Sequence, residues 1–335
     1  MRALLVGLLV LLPLASISLA ENPTFLGEEP PAFGFGPWAN TVLPYKTLDE
    51  FAGEVVVLEF LRTSCPGCRA VMPALDKTWR EHDRPDVHVF CVTNDSVELT
   101  QRFLVHEGAG RKLGYPITTG CNQSFGVTQL PWTYVIGRDG KVVWAGHSGR
   151  SYGKALAAAV KADDPQRPEA PANLRKACKR IVEAKYQKAL ELAEKALASE
   201  ETRAFGEYVA ARVQTHFERE LATVDLHLKR GDVFSACELL DAMGSRFAGT
   251  TFLETIEERH AAVEAMDGFA AAADAWKRYH AAWASARKSK AGVAQACKKL
   301  EGLKAGDVPS AAKAAEALLD VLGNPWTLAD AANFG

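Results

Sequence analysis

The stretch Val55-Val56-Val57-Leu58-Glu59-Phe60-Leu61-Arg62-Thr63-Ser64-Cys65-Pro66-Gly67-Cys68-Arg69-Ala70-Val71-Met72-Pro73 decides the reading of this chain. Glu54–Leu61 is a β-branched and apolar run of buried-strand length. Cys68–His82 then reads as a helix, so a Cys-x-x-Cys stands where a strand hands over to a helix. A thiolate at a helix N-terminus faces unpaired backbone N–H groups and the positive end of the helix dipole. Both favour the charged form, which makes Cys65 a nucleophile near neutral pH. Cys68, within the first turn, is close enough to resolve a mixed disulfide by attacking it. Glu59 lies six residues before Cys65, near the end of the strand. If buried, its carboxyl has a raised pKa and is placed to relay a proton from Cys68. The other reading is a solvent-facing strand carboxylate.

Working outward, Val87–Thr93 reads as a second buried strand and Val97–Glu107 as a second helix. Thr133–Ile136 and Lys141–Ala145 are strands joined by Gly137-Arg138-Asp139-Gly140, a hairpin turn containing Asp-Gly. Ser151–Lys161 closes this α/β unit with an Ala-rich helix. Ahead of it, residues 21–45 are rich in Pro, Gly and aromatics and read as an irregular leader packed on the unit.

Strand, Cys-x-x-Cys at a helix head, and Pro73 five residues after the second cysteine resemble the thioredoxin superfamily. Pro73 matches the family's helix-kinking proline, and Glu59 matches its buried acidic position. The downstream segment Phe125-Gly126-Val127-Thr128-Gln129-Leu130-Pro131-Trp132-Thr133-Tyr134-Val135-Ile136 is similar to the family's cis-proline loop and following strand. The resemblance spans roughly residues 46–162 and looks most like secreted thiol:disulfide oxidoreductases of the TlpA and ResA type. It implies a thioredoxin-like α/β domain with a central mixed sheet flanked by helices. It also implies catalytic Cys65, Cys68 and Glu59, and a substrate-binding surface made by Leu130, Pro131, Trp132, Pro66 and Gly67. The redox-active Cys65–Cys68 pair then stands in place of any cofactor. The implied partners are protein thiols or disulfides and an upstream electron donor or acceptor. Two departures stand out: Ser64 replaces the usual aromatic before the first cysteine, and bulky Trp132 follows Pro131.

Other chemistries of the same cysteines fit less well. Half a zinc site needs a second ligand pair, and Cys91, Cys121, Cys178, Cys237 and Cys297 are all isolated. No metal site is expected. A peroxide-reducing site resembles Pro-x-x-x-Thr-x-x-Cys, and here Arg62 occupies the threonine position. Cys91 reads as a buried small hydrophobe. Cys121 sits in a loop at Thr118–Asn122, as a structural thiol, a third redox thiol or a partner of Cys91. Cys178, Cys237 and Cys297 lie on helical faces as core filler. Trp276, Tyr279, His280 and Trp283, at helical spacing, read as packing.

The ends of the chain add an address and a second fold class. Met1–Ala20 has Arg2, an apolar stretch and Ser18-Leu19-Ala20, the design of a cleaved secretory signal peptide. It predicts export to a periplasmic or extracellular space, with no stable membrane span in the mature chain. Residues 163–171 hold three prolines and mixed charge and read as a linker. From 172 to 335 strand signals vanish, and apolar stripes such as Phe205, Val209, Val213 and Phe217 predict an all-α domain of six or seven helices. Two of its segments weakly resemble tetratricopeptide helices, but Ala189 and Ala236 lie 47 residues apart, off that period. This domain is expected to position partners or to dimerise. The alternative is a scaffold protein whose helical domain engages partners, with the α/β unit structural. Across all 335 residues the formal net charge is −2, which gives no global field for nucleic acid. The 48% apolar and 24% charged fractions exclude disorder and a multi-span membrane protein.

Overall fold

A computed structural model describes residues 21–82, 84–120, 124–148 and 152–327. The signal-like segment 1–20 and Cys121 fall outside these residues. The α/β unit runs β1 (Val55–Phe60), α1 (Pro66–Glu81), β2 (Val87–Thr93), α2 (Val97–His106), β3 (Ile117–Thr119), β4 (Trp132–Ile136), β5 (Val142–His147) and α3 (Gly153–Lys161). Its five strands form a mixed sheet of order β3-β2-β1-β4-β5. β1 is central, parallel to β2 and antiparallel to β4. The thioredoxin-like α/β class expected from the sequence is the fold observed.

Alternation along β1 assigns its two faces. Val55, Val57 and Leu61 enter the core that also holds Cys68, Met72 and Leu75 of α1. Val56, Leu58 and Phe60 enter the opposite core, built with Phe33, Phe51, Phe90, Phe125 and Tyr134. That second face is covered by the leader together with a single 3-10 turn at Leu48–Phe51 rather than by an α-helix. Phe35 stacks on Trp38, and isolated bridges Leu26↔Val142, Gly34↔Thr47 and Trp38↔Thr118 tie the leader to the sheet and the unit's first residues.

Three local readings are corrected. α1 begins at Pro66, not Cys68, because Cys65 is the N-cap and proline is well suited to the first helical position. Thr118 and Thr119 are not loop but part of β3, a strand of three residues. It is too short to show a period. Its pairing with β2 and its backbone contact to Trp38 create it. Among the described residues the helical part has eight helices rather than six or seven: α4 (Ala172–Val182), α5 (Tyr186–Leu197), α6 (Arg203–Lys229), α7 (Val233–Arg246), α8 (Phe252–Glu264), α9 (Phe269–Lys288), α10 (Lys290–Lys304) and α11 (Pro309–Gly323). The least visible break separates α9 from α10. There Ser289 alone turns extended (φ −167°) and caps the next helix by accepting from Gly292 N.

The helical part packs directly on the α/β unit. Residues 163–171 carry no helix or strand, yet they are pinned. Asp164 is buried, accepts from Tyr208 Oη at 2.8 Å, and lies where a side chain at Gly53 (φ 78°) would collide with it. Deeper in the joint sits Glu54, just before β1, with its side chain 0% exposed. His88 Nε2 stands 2.6 Å from it, Arg212 Nη2 2.8 Å and Arg219 Nη1 2.8 Å, the two arginines coming from α6. Arg212 also donates to the Ala52 carbonyl and Arg219 to that of Glu50. Burial alone raises the Glu54 pKa, but the His88 hydrogen bond and the charges of His88, Arg219 and Arg212 outweigh it and hold the pKa at about 2.

Breaking a buried ion cluster by removing one partner costs about 3–5 kcal/mol. Glu54→Gln is therefore expected to lower the urea midpoint at pH 7 by an amount equivalent to about 3 kcal/mol. A folded pKa below the unfolded one gives stability that is present above about 4.5 and lost as pH falls toward about 2. The gap between wild type and variant should close over that interval. A variant that unfolds with the wild type at pH 7 refutes this account of the joint.

Candidate active site: a cysteine pair above a buried carboxyl

The turn after β1 delivers Cys65 to the N-cap of α1. Cys65 and Cys68 form a disulfide with Cα atoms 5.2 Å apart. Cys68 N donates to Cys65 Sγ at 3.1 Å, and Arg69 N donates to the Cys65 carbonyl at 3.1 Å. Cys65 is half-buried and Cys68 fully buried, so one sulfur faces outward and the other the core. The turn itself is held by Asp95, whose Oδ2 accepts from Thr63 N at 2.7 Å. Asp95 and Thr63 are both buried.

The Leu130–Pro131 peptide is cis, and the Leu130 carbonyl lies 3.9 Å from Cys65 Sγ. A cavity of about 270 Å³ opens beside it, lined by Phe60, Leu61, Arg62, Asn94, Thr128 and Leu130 among others. The structure thus brings Cys65, Cys68, Leu130 and Pro131 together. It sends Trp132 elsewhere. Trp132 pairs with Phe60 across the sheet, so its side chain joins the leader-side aromatic core and not the core that contains Cys68.

Glu59 is 1% exposed, which removes the solvent-facing alternative. It shares the odd-numbered face of β1 with Val55 and Val57, the side of the sheet that packs on Cys68 and α1. Its cross-strand partner is Thr133, whose hydroxyl donates to Oε2 at 2.5 Å and lies 2.8 Å from Ser148 Oγ. Among the described residues Oε1 is buried without a hydrogen-bond partner. Burial raises the Glu59 pKa to about 7, against smaller opposing hydrogen bonds from Thr133 and Ser148.

The sequence signalled neither Thr133 nor Ser148 as partners of Glu59; register across β1 and β4 alone brings Thr133 there. The other cysteines among the described residues are packed. Cys91 is 0% exposed in the core shared with Cys68. Cys178, Cys237 and Cys297 are half-buried on helical faces, and burial pushes the Cys178 and Cys237 thiols up. Trp276 is buried, with Tyr279 and Trp283 packed beside it. His280 is 2.8 Å from buried Asp232.

A central mixed sheet, a helix headed by Cys-x-x-Cys and a cis-proline loop define a thioredoxin-like unit. Residues 40–145 match the family model described as the AhpC/TSA family. Among curated proteins, the chain is 35% identical over 101 residues to the thiol-disulfide oxidoreductase ResA of Halalkalibacterium halodurans, covering 29% of this chain and 55% of that protein. ResA of Bacillus thuringiensis subsp. konkukian is 25% identical over 127 residues, 37% of this chain and 70% of that one. The chain thus spans little more than half the length of the first of these relatives. Similar solved structures include a thiol-disulfide isomerase of Corynebacterium glutamicum (17% identity, TM-score 0.35, 41% of this chain and 99% of that one). A reduced 2-Cys peroxiredoxin of Plasmodium vivax is also similar (20% identity, TM-score 0.33, 40% and 79%).

Glu59 yields a stability test of its own. A buried carboxyl with a folded pKa of about 7 binds a proton that the unfolded chain has already released above about 4.5. Wild-type stability therefore falls as pH rises through that interval, by an amount on the order of 3 kcal/mol at most. Glu59→Gln removes this term while keeping the shape. Its melting temperature relative to wild type should rise between pH 5 and pH 8; an offset that stays constant with pH counts against a protonated Glu59.

Proposed function

We propose that the protein is an exported thiol–disulfide oxidoreductase that exchanges disulfides with protein substrates through the Cys65-Pro66-Gly67-Cys68 dithiol. The observation that carries this reading is Cys65 at the α1 N-cap, its sulfur accepting from Cys68 N, on the same side of the sheet as a buried carboxyl that titrates at about 7. The names of the curated relatives agree with it. Arg62, three residues before Cys65, sets the site apart from the peroxide-reducing motif. Export rests on the composition of Met1–Ala20. Among the described residues no helix is long and apolar enough to cross a membrane. We place the division between the two parts of the chain at residues 163–171.

The chemistry is a two-step, two-electron exchange. In the reducing direction the Cys65 thiolate attacks a substrate disulfide. One substrate sulfur leaves as a thiolate, and Cys65 is held in a mixed disulfide. Glu59, ionised above about 7, takes the proton from Cys68. The Cys68 thiolate then attacks Cys65 Sγ, the second substrate sulfur leaves, and the Cys65–Cys68 disulfide closes. The substrate gains two electrons, and the protein loses them. The opposite direction runs the same steps backward. The helix N-terminus stabilises Cys65 as thiolate nucleophile and as leaving group. Leu130 and Pro131 offer backbone at the sulfur where a substrate strand would lie.

In the full chain, Cys68→Ser should accumulate mixed disulfides with protein thiols through Cys65, reversible by dithiothreitol. The Cys65→Ser/Cys68→Ser form should accumulate none. Glu59→Gln should slow the closing step by about 10²-fold and flatten its rise with pH through about 7. Equal trapping by the single and double variants defeats the reading.

A further inference from the structure

The segment that follows α11 returns to the redox turn. Trp326 lies 263 residues from Thr63 in the chain, yet its Nε1 donates to Thr63 Oγ1 at 3.3 Å. Its ring sits 5.5 Å beneath the guanidinium of Arg69 and meets Phe103 edge-on at 5.6 Å. It is 8% exposed and belongs to the core that contains Cys68. Thr63 is two residues before Cys65, and Arg69 is the residue after Cys68. One indole therefore touches the chain on both sides of the cysteine pair. The helical part is also anchored elsewhere, by the Glu54 cluster and by Arg102 to Asp320 at 3.7 Å.

We propose that Trp326 is a positioning residue for the Cys65–Cys68 pair, through which the C-terminal segment sets how readily the disulfide is reduced. Closing a disulfide depends on the effective concentration of one thiol at the other. The turn at 62–65 is held from one side by Asp95 and from the other by Trp326. Arg69, in the first turn of α1, has its side chain laid over the same ring. Ser64 stands where the thioredoxin resemblance implies an aromatic, and an indole from the far end of the chain contacts the neighbouring Thr63. Removing it loosens the turn and frees Arg69 to approach a Cys65 thiolate. Both changes favour the dithiol over the disulfide, so the pair becomes easier to reduce.

The inference rests on the proposed function only in requiring an exchangeable pair, and a chemical couple reads it. The full chain is equilibrated with graded ratios of glutathione and glutathione disulfide, quenched in acid and alkylated. The reaction balances as one protein disulfide plus two glutathione giving one protein dithiol and one glutathione disulfide. Trp326→Ala should shift the equilibrium toward the dithiol by at least about threefold, equivalent to about 14 mV at about 30 mV per tenfold. Trp326→Phe, which keeps a ring against Phe103 but lacks the N–H donor, should shift it less and in the same direction, and it carries the test alone if the alanine variant fails to fold. Asp320→Asn weakens another contact of the same helical part and should leave the equilibrium at the wild-type value. Folded Trp326 variants that match wild type overturn the inference, and so does an Asp320→Asn shift as large as that of Trp326→Ala. A wild type that equilibrates with glutathione while Cys68→Ser traps no protein overturns the proposed function but leaves this result readable.

Discussion

Glu54 is a carboxylate with no access to water, and such a group persists only where its charge is answered. Here most of the answer comes from outside its own unit. Arg212 and Arg219 extend from α6, while His88 reaches over from the neighbouring strand β2. The same arginines take up the carbonyls of Ala52 and Glu50 at the entry to β1. α6 supplies two of the three groups that answer the Glu54 charge, and His88 supplies the third. The α/β unit is thus completed by the helical part at the point where its central strand begins.

The same strand carries a second buried carboxyl with the opposite fate. Glu54 and Glu59 are separated by five residues, and both are almost fully inaccessible. Glu54 meets two guanidinium groups and an imidazole and stays ionised down to about 2. Glu59 meets hydroxyls only, so desolvation dominates and its pKa rises to about 7. One is an electrostatic clasp, and the other is poised to gain or lose a proton near neutrality. Environment, not residue type, divides the roles.

What the sequence disclosed follows from how local each signal is. The strand before Cys65, the helix after it and the Asp-Gly hairpin are written in contiguous residues, and all three are present, the helix starting two residues earlier than read. Glu59 was recognisable as a candidate because strand alternation and chain distance to Cys65 are local quantities, but its burial had to come from β4 packing alongside. β3 escaped because three residues carry no period. The extra helix break at Ser289 escaped because one serine between lysines looks like surface. Trp132 neighbours Pro131 in sequence, which suggests a groove residue, but the pleat turns it to the other face. Arg212, Arg219 and Trp326 carried no signal at all. Their partners lie about 160 to 260 residues away, and no spacing rule connects them.

The positions of those unsignalled residues are themselves informative. A six-residue strand spans about 20 Å. The helical part touches the approach to β1 through Arg212 and Arg219, and touches the turn leaving it through Trp326. Between these two contacts lie Glu59 and the route to Cys65. A part tethered by a free linker would leave the strand's ends independent of it, but residues 163–171 are themselves anchored through Asp164 to Tyr208. Once one end is engaged, the other contact forms at high effective concentration, so the two reinforce each other. A change in the fit of the helical part at either contact therefore bears on the strand that leads to the cysteine pair. That gives the second half of this chain a route to the cysteine pair that runs through packed side chains rather than through the linker.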